Sequence, residues 1–501
     1  MRKILFKTIK ISLLFILLLF LLLFIGVLIP KEYYKANAKS YNNFIVKNCN
    51  IVDVENNRIH YNRQITVNNG IIVAIDSLNP TISSGTIEVI NANGNYMMPT
   101  LWDMHVHTLS LSPQLHFPLL IANGVTNIRD MGDGDSWASD IENTSVRDKA
   151  LWEKMGKNES LLMPKIMEAT SFHVEEVDDL NENNVSEKAK ILVEQLVSRK
   201  EPFIKVQLTE GDYPTRFFYE LQKQAKQHNI NMLGHLPADV DLDTVFNNGF
   251  KSVEHAWALI PHFVKNKKLT GSDIERKIYE LENQDSTIAN QFLQLMKTQR
   301  VYYTPTHVTS NRKEYLAFES GFSNNPNNKY VENVQLTLWK ALNWLHTKGY
   351  DKEEDLPVLK KYYERGIEIT SKAHKKGVKI LAGTDALDRN VYYGISLHEE
   401  LQELVKAGLT NAEALKTATR NAAEYYGLSQ EYGSIEVGKK SSFILLEKNP
   451  LENIKNTQSI TTVFFDNKLY NTSDLENMKA YTVLQAKSYA NSCKFIWNMI
   501  K

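Results

Sequence analysis

The chain has 501 residues, 43% of them hydrophobic, which is enough for a large core and more than one domain. Lys plus Arg and Asp plus Glu both total 58, and no basic block occurs beyond the N-terminus, so the electrostatics argue against a nucleic-acid partner. Two cysteines, Cys49 and Cys493, are too few for a disulfide framework or a cysteine-based zinc site; free thiols are expected, and a single bridge requires the chain ends to meet.

Arg2, Lys3, Lys7 and Lys10 precede an uncharged, largely Leu, Phe and Ile stretch from Ile11 to Ile29. A helix of this length and composition crosses a bilayer, and the denser positive charge before it implies a cytoplasmic tail over residues 1–10. The expectation is an anchor over 11–30, a polar linker over 31–42 and a single-pass protein with its bulk outside the cytoplasm. The competing reading is secretion after cleavage near Ala38, in the small-residue stretch Ala36-Asn37-Ala38.

From Asn43 to Ile90 the pattern is strand-like, with Asn68-Asn69-Gly70 as a tight turn. A similar pattern returns at Ser442–Glu447 and Thr461–Phe465, followed by a turn at Asp466-Asn467-Lys468. Residues 43–96 and 431–476 are expected to build one composite β-sandwich domain. Between them, over 97–430, strands alternate with helices: Gly124–Arg129, Phe203–Val206, Asn231–Gly234, Ser252–Glu254, Val301–Thr304 and Val378–Ala382 read as strands, while Pro214–His228 and Pro357–Lys376 read as helices opening on a proline. This alternation makes the fold class α/β, with a TIM-like (β/α)8 barrel ahead of a doubly wound sheet. The segments 262–300 and 311–362 exceed what a barrel needs and read as helical covers. Residues 477–501 read as one amphipathic C-terminal helix.

His105 and His107, two residues apart on a strand, point to one face and can reach one point with both imidazoles, the beginning of a transition-metal site. Lys205, His235, His255, His307 and Asp385 follow, each at the end of a successive predicted strand, where a barrel keeps its chemistry. Each alone reads as structure; the ordered set does not. Arg129 and Asp130 are expected to hold the barrel, His398 to pack on a helix, and Tyr213 and His307 are candidates for the substrate pocket.

The order His105-x-His107, Lys205, His235, His255, Asp385 resembles the amidohydrolase superfamily, in its imidazolonepropionase-like and Xaa-Pro dipeptidase-like branch. The phrases Pro99-Thr-Leu-Trp-Asp-Met-His-Val-His107, Gly234-His-Leu-Pro237, Ser252-Val-Glu-His255, Ala382-Gly-Thr-Asp-Ala386 and Gly433-Ser-Ile-Glu-Val-Gly-Lys439 carry the likeness. The resemblance implies two divalent metal ions, with zinc favoured. His105, His107 and Asp385 would bind one, His235 and His255 the other, and a carbamylated Lys205 would bridge them. It further implies a metal-bridging hydroxide, with Asp385 as the proton shuttle.

The deaminases of the superfamily usually place a Glu three residues after the third ligand histidine. Here Ala238 stands there, which favours hydrolysis of a small amide, such as a dipeptide or an N-acyl amino acid, over deamination. A cyclic amide or lactone as substrate, a non-catalytic surface-exposed binding relative, and homo-oligomerisation remain open.

Overall fold

The computed structural model describes all residues except 1, 37, 79–86, 134–143, 171–172, 175–176, 178, 209–210, 267–270, 310, 320 and 501. The central unit is a barrel with eight strand positions. Leu101–Thr108 pairs with Val125–Asp133, which pairs with Lys165–Ala169. Then His173–Val174, Phe203–Val206, Asn231–Gly234, Phe250–Glu254 and Tyr302–Thr304 pair in sequence, all parallel. Lys165–Ala169 and His173–Val174 are two parts of one position, the first bonded to the strand before it and the second to the strand after. This interrupted position is absent from the strands expected from sequence.

The eighth position departs from a regular strand. Residues 378–382 form a single parallel bridge, Tyr303 to Ile380, and close the ring through single hydrogen bonds. Leu381 N donates to Tyr303 O (2.8 Å), Met104 N to Ala382 O (2.9 Å), and Asp385 N to His105 O (2.7 Å). Gly383 makes this crossing possible, since a Cβ there would lie 2.6 Å from Thr304 Cγ2 and 2.7 Å from His105 Cβ. The segment passes too close to the first strand to run as an ordinary ladder.

The flanking β segments meet in one hydrogen-bonded sheet of nine strands rather than in two stacked sheets. Tyr96–Pro99, from the first flank, pairs antiparallel with Phe443–Leu446 from the second. The sheet curls on itself, because Ile72 at its far edge bonds the turn before Phe443–Leu446: Ile72 N donates to Lys439 O and Gly438 N to Ile72 O, both at 2.8 Å. Side chains alternate between faces as strand geometry requires. Phe443, Leu445, Phe464 and Met97 build a core belonging to the sheet, while Ile444, Leu446, Val463 and Met98 face the barrel core. The boundaries therefore shift. Lys39–Ser40, expected in the linker, forms a short strand against Lys468–Leu469; the first flank runs to Pro99; and the second ends at Asn471.

The C-terminal segment is two helices, Thr472–Ala486 and Tyr489–Ile500, not one over 477–501. Asn471 starts the first with a capping box to Asp474, directly after the last strand. Leu475, Met478, Thr482 and Ala486 are its buried residues, spaced three and four apart. The Asn491 amide then bridges the break by donating to Gln485 O (3.0 Å).

Other elements differ in detail. The helices expected to open on proline are Asp212–Gln227 and Asp355–Lys376, each with its proline at the third position. The two insert segments are mainly helical among the described residues, with Asp273–Glu282, Ser286–Thr298 and Asn333–Gly349 their main elements, and Val264 and Gln284 form an antiparallel bridge. Both cysteines are buried free thiols. Among the described residues one helix, Arg2–Leu28, is long and apolar enough over Thr8–Leu28 to cross a membrane.

Candidate metal centre

The ends of the barrel strands bring the ordered residues together. Asp385 Oδ1 lies 3.0 Å from His107 Nε2 and 3.3 Å from His105 Nε2, and Asp385 Oδ2 lies 3.9 Å from His255 Nδ1. The ligand atoms of His105, His107 and Asp385 all fall within 4.8 Å of one another, as a shared cation requires. The His255 ring is 4.7 Å from both the His105 and His235 rings. Lys205 Nζ, almost fully buried, is 3.5 Å from His107 Nε2. Six positions thus form one cluster on four strand ends and the closing segment.

The tautomers follow from the partners. Glu254 Oε2 sits 2.8 Å from His105 Nδ1, and Arg129 Nη2 donates to Glu254 Oε1 at 2.7 Å. Burial pushes the Glu254 carboxyl up, but the Arg129 guanidinium and the bonds from His105 and Ser252 outweigh it and hold it well below the usual range. A carboxylate only accepts, so His105 Nδ1 carries the hydrogen and Nε2 keeps its lone pair. The carbonyl of Gly132, 3.3 Å from His107 Nδ1, imposes the same choice there. Burial, aided by Lys205, holds His107 down to about 3; burial takes His255 to about 3 and His235 well below its ordinary value. These imidazoles are neutral at physiological pH. His105 Nε2 and His235 Nε2 are buried and have no hydrogen-bond partner among the described residues. Aligned lone pairs, a carboxylate and buried nitrogens without partners fit a divalent metal of the zinc type.

Two of the clustered residues sit in left-handed backbone, His255 at φ +68° and Asp385 at φ +60°. Such a conformation costs an L residue about 1–2 kcal/mol, and the surroundings hold it. Asp103, buried and raised to about 7 by burial, accepts from Thr384 N (3.0 Å) and Thr384 Oγ1 (2.7 Å), fixing the residue before Asp385.

Sequence reading did not assign roles to Glu254, Thr306, Asp103 or Trp257. Thr306 Oγ1 is 2.7 Å from His255 Nδ1. Trp257 stacks on His255 with centroids 5.6 Å apart, stands edge-on to His235 at 4.9 Å, and has a buried indole N–H without an acceptor among the described residues. The signal for Glu254 was present: a carboxylate directly before a ligand histidine, at the end of a strand that enters the barrel, needs a buried partner.

The remaining candidates fall elsewhere. His307 is buried, and its Nε2 lies 2.9 Å from Thr370 Oγ1 rather than on a member of the cluster. Tyr213 is 39% exposed at the start of Asp212–Gln227, with the Arg216 guanidinium 5.9 Å from its ring centroid. Arg129 and Asp130 hold the barrel. Arg129 also bonds Met104 O and Tyr425, and Asp130 accepts from Thr108. His398 is pinned by Thr457 and Asn123.

The family model described as "Amidohydrolase family" matches residues 96–470. The chain belongs to the amidohydrolase family, and with it to the hydrolases of carbon–nitrogen bonds. Family members use divalent metals, and the converging histidines and Asp385 suit that use.

A 5'-deoxyadenosine deaminase of Methanobrevibacter smithii is 32% identical over 110 residues, covering 20% of this chain and 25% of that protein. A dihydroorotase of Carboxydothermus hydrogenoformans is 40% identical over 63 residues, covering 13% and 14%. The chain thus aligns with a quarter or less of the length of these curated relatives. Solved structures share the fold over nearly their full length. A Xaa-Pro dipeptidase with bound methionine has TM-score 0.59 at 19% identity, covering 86% of this chain and all of that one. Bottromycin amidohydrolase has 0.66 at 17%, covering 89% and 91%, and Aspergillus niger ochratoxinase 0.55 at 18%, covering 86% and 96%.

Proposed function

We propose that this chain is a membrane-anchored, two-metal amidohydrolase that cleaves the amide bond of small substrates, dipeptides or N-acyl amino acids first, on the extracytoplasmic side. The observation that supports it most is the pinning of His105 and His107 through Nδ1, which turns both Nε2 lone pairs toward Asp385 Oδ1. His105, His107 and Asp385 would hold one zinc, His235 and His255 the second. Lys205, as a neutral amine, would add to carbon dioxide and lose a proton to give a carbamate whose two oxygens face both sites. When bound, such a pair supplies Lewis acidity toward a carbonyl and lowers the pKa of water.

The protein's own groups do the rest. Asp385 takes up a proton and returns it to the departing nitrogen; surrounding histidines hold its carboxyl well below the usual range against the opposing effect of burial, so it starts ionised, with a lone pair to receive the proton. Glu254 and Gly132 O keep the two imidazoles aimed. Trp257 offers an indole N–H to orient the substrate. Ala238, buried where the deaminases have a carboxylate, offers no proton shuttle, which favours an amide over an amino-purine.

The test is full-length protein, purified in detergent with zinc and bicarbonate, assayed for bound metal and against a library of dipeptides, N-acyl amino acids and cyclic amides. About two metals per chain and turnover within the first two classes support the reading. A metal-free active enzyme rejects it, and turnover confined to cyclic amides moves the substrate class.

A further inference from the structure

The C-terminal helix Tyr489–Ile500 lies against the end of the N-terminal helix Arg2–Leu28. Tyr489 donates its hydroxyl to Leu22 O (2.6 Å), and Lys494 Nζ donates to Ile29 O (2.5 Å) and Gly26 O (3.3 Å). A Cβ on Gly26 would stand 2.3 Å from Cys493 Sγ, so the two helices meet there with no room to spare. Contacts advance together along both chains, and the helices run side by side in the same direction.

The other side of Tyr489–Ile500 is fixed to the body. Ser492 bonds Glu332, the cap of Asn333–Gly349. Asn498 and Lys31 both donate to Ser110, each at 2.5 Å, in the loop that follows the strand of His105 and His107. The apolar helix is joined to the barrel by a packed interface as well as by chain.

Lengths then decide the level of this interface. From Lys10, the last of the basic residues, to Leu22 is about 18 Å at a rise of 1.5 Å per residue. A hydrocarbon layer is about 30 Å thick. With Lys10 at the inner headgroups, about the last 10 Å of that layer coincide with Leu22–Leu28, the stretch that Tyr489–Ile500 covers. Around this interface the body exposes large apolar and aromatic groups: Tyr489 beside Leu22, Met499 and Ile500 further out on the C-terminal helix, and Leu342, Trp344 (59%) and Leu345 (56%) on Asn333–Gly349, the helix whose cap Ser492 bonds. Exposed Trp and Tyr beside aliphatic groups are the composition of a membrane–water boundary.

We propose that the outer layer of the lipid bilayer is the partner of this surface. Tyr489–Ile500 and the Leu342–Leu345 face are seated in lipid beside the span, and the metal centre works at a fixed height on the membrane. This rests on reading Arg2–Leu28 as a membrane span. The test uses the full-length chain in phosphatidylcholine vesicles, with a fluorescent probe on Leu345→Cys and, as control, on Tyr61→Cys in the sheet domain; the native thiols are buried.

The probe at 345 should be quenched by spin-labelled lipid and protected severalfold from aqueous iodide, and the probe at 61 should show the reverse. Gly26→Leu should keep the chain in the membrane yet raise iodide access at 345 severalfold. Release of the chain by carbonate would sink the span and this proposal together. A carbonate-resistant chain with position 345 as open to iodide as position 61, or unmoved by Gly26→Leu, would overturn the seating alone.

Discussion

His105 Nδ1 lies 2.8 Å from Glu254 Oε2, and Glu254 is the residue immediately before His255. One short strand therefore aims an imidazole of a distant strand and presents its own, so two predicted ligands share a single support. Glu254→Gln should weaken metal retention about 10–100-fold in a chelator challenge, with little change in substrate KM for whatever enzyme stays loaded. The same variant leaves the buried Arg129 without its carboxylate, so a fall in melting temperature should accompany it. Unchanged metal retention would show that His105 needs no orienting partner.

Asp385→Asn separates binding from proton transfer. The amide oxygen keeps a ligand atom but cannot accept a proton, so much of the metal should remain while kcat drops by about 10²–10⁴. His105→Ala, by contrast, should lose metal and activity together. Metal analysis beside initial rates reads both.

Lys205→Ala should lose most activity and metal. Formate or acetate should restore part of both, because a short carboxylate offers two oxygens in the vacated space. Rescue by methylamine, or full activity in Lys205→Arg, would assign the residue a cationic role.

Trp257→Phe keeps an aromatic face against His255 but removes the indole N–H. If that donor holds substrate, KM should rise about 5–10-fold, the value of one net hydrogen bond, with metal content unchanged. An unchanged KM would reduce Trp257 to packing.

Glu400 supplies a pH prediction away from the metals. It is fully buried, accepts from Val308 N at 3.0 Å, and burial raises its carboxyl to about 8. A folded value above the unfolded one means that protons stabilise the folded state. The contribution is fully present below about 4.5, declines as pH rises, and is gone above about 8. Glu400→Gln should therefore change the melting temperature little at pH 5 and raise it by several degrees at pH 9. Equal effects at both values would mean that folding leaves the proton affinity of Glu400 unchanged.

Much of the site was legible because its chemistry is periodic. His105-x-His107 exploits the two-residue repeat of a strand, and a barrel puts successive strand ends in one place. What escaped was set by contacts across the fold. Glu254 acquires meaning only when Arg129 and His105 reach it from other strands, and Thr306 only when His255 turns through a left-handed backbone. Lys165–Ala169 and His173–Val174 escaped because neither segment holds a long apolar run. The break at Lys487–Ser488 was hidden because no proline or glycine marks it; the first helix packs against Phe117–Ala122 and the second against Arg2–Leu28 and Asn333–Gly349.

The pairing of Tyr96–Pro99 with Phe443–Leu446 has a consequence for biosynthesis. The first strand leaves the ribosome roughly 350 residues before its neighbour, an interval of roughly 20–70 s at about 5–20 residues per second. During that time Met97 and Met98, both fully buried in the finished protein, border an open β edge that any other extended segment can occupy. The newborn chain is exposed to mispairing until its final strands arrive, and its yield should depend on a holding chaperone more than on the stability of the completed fold.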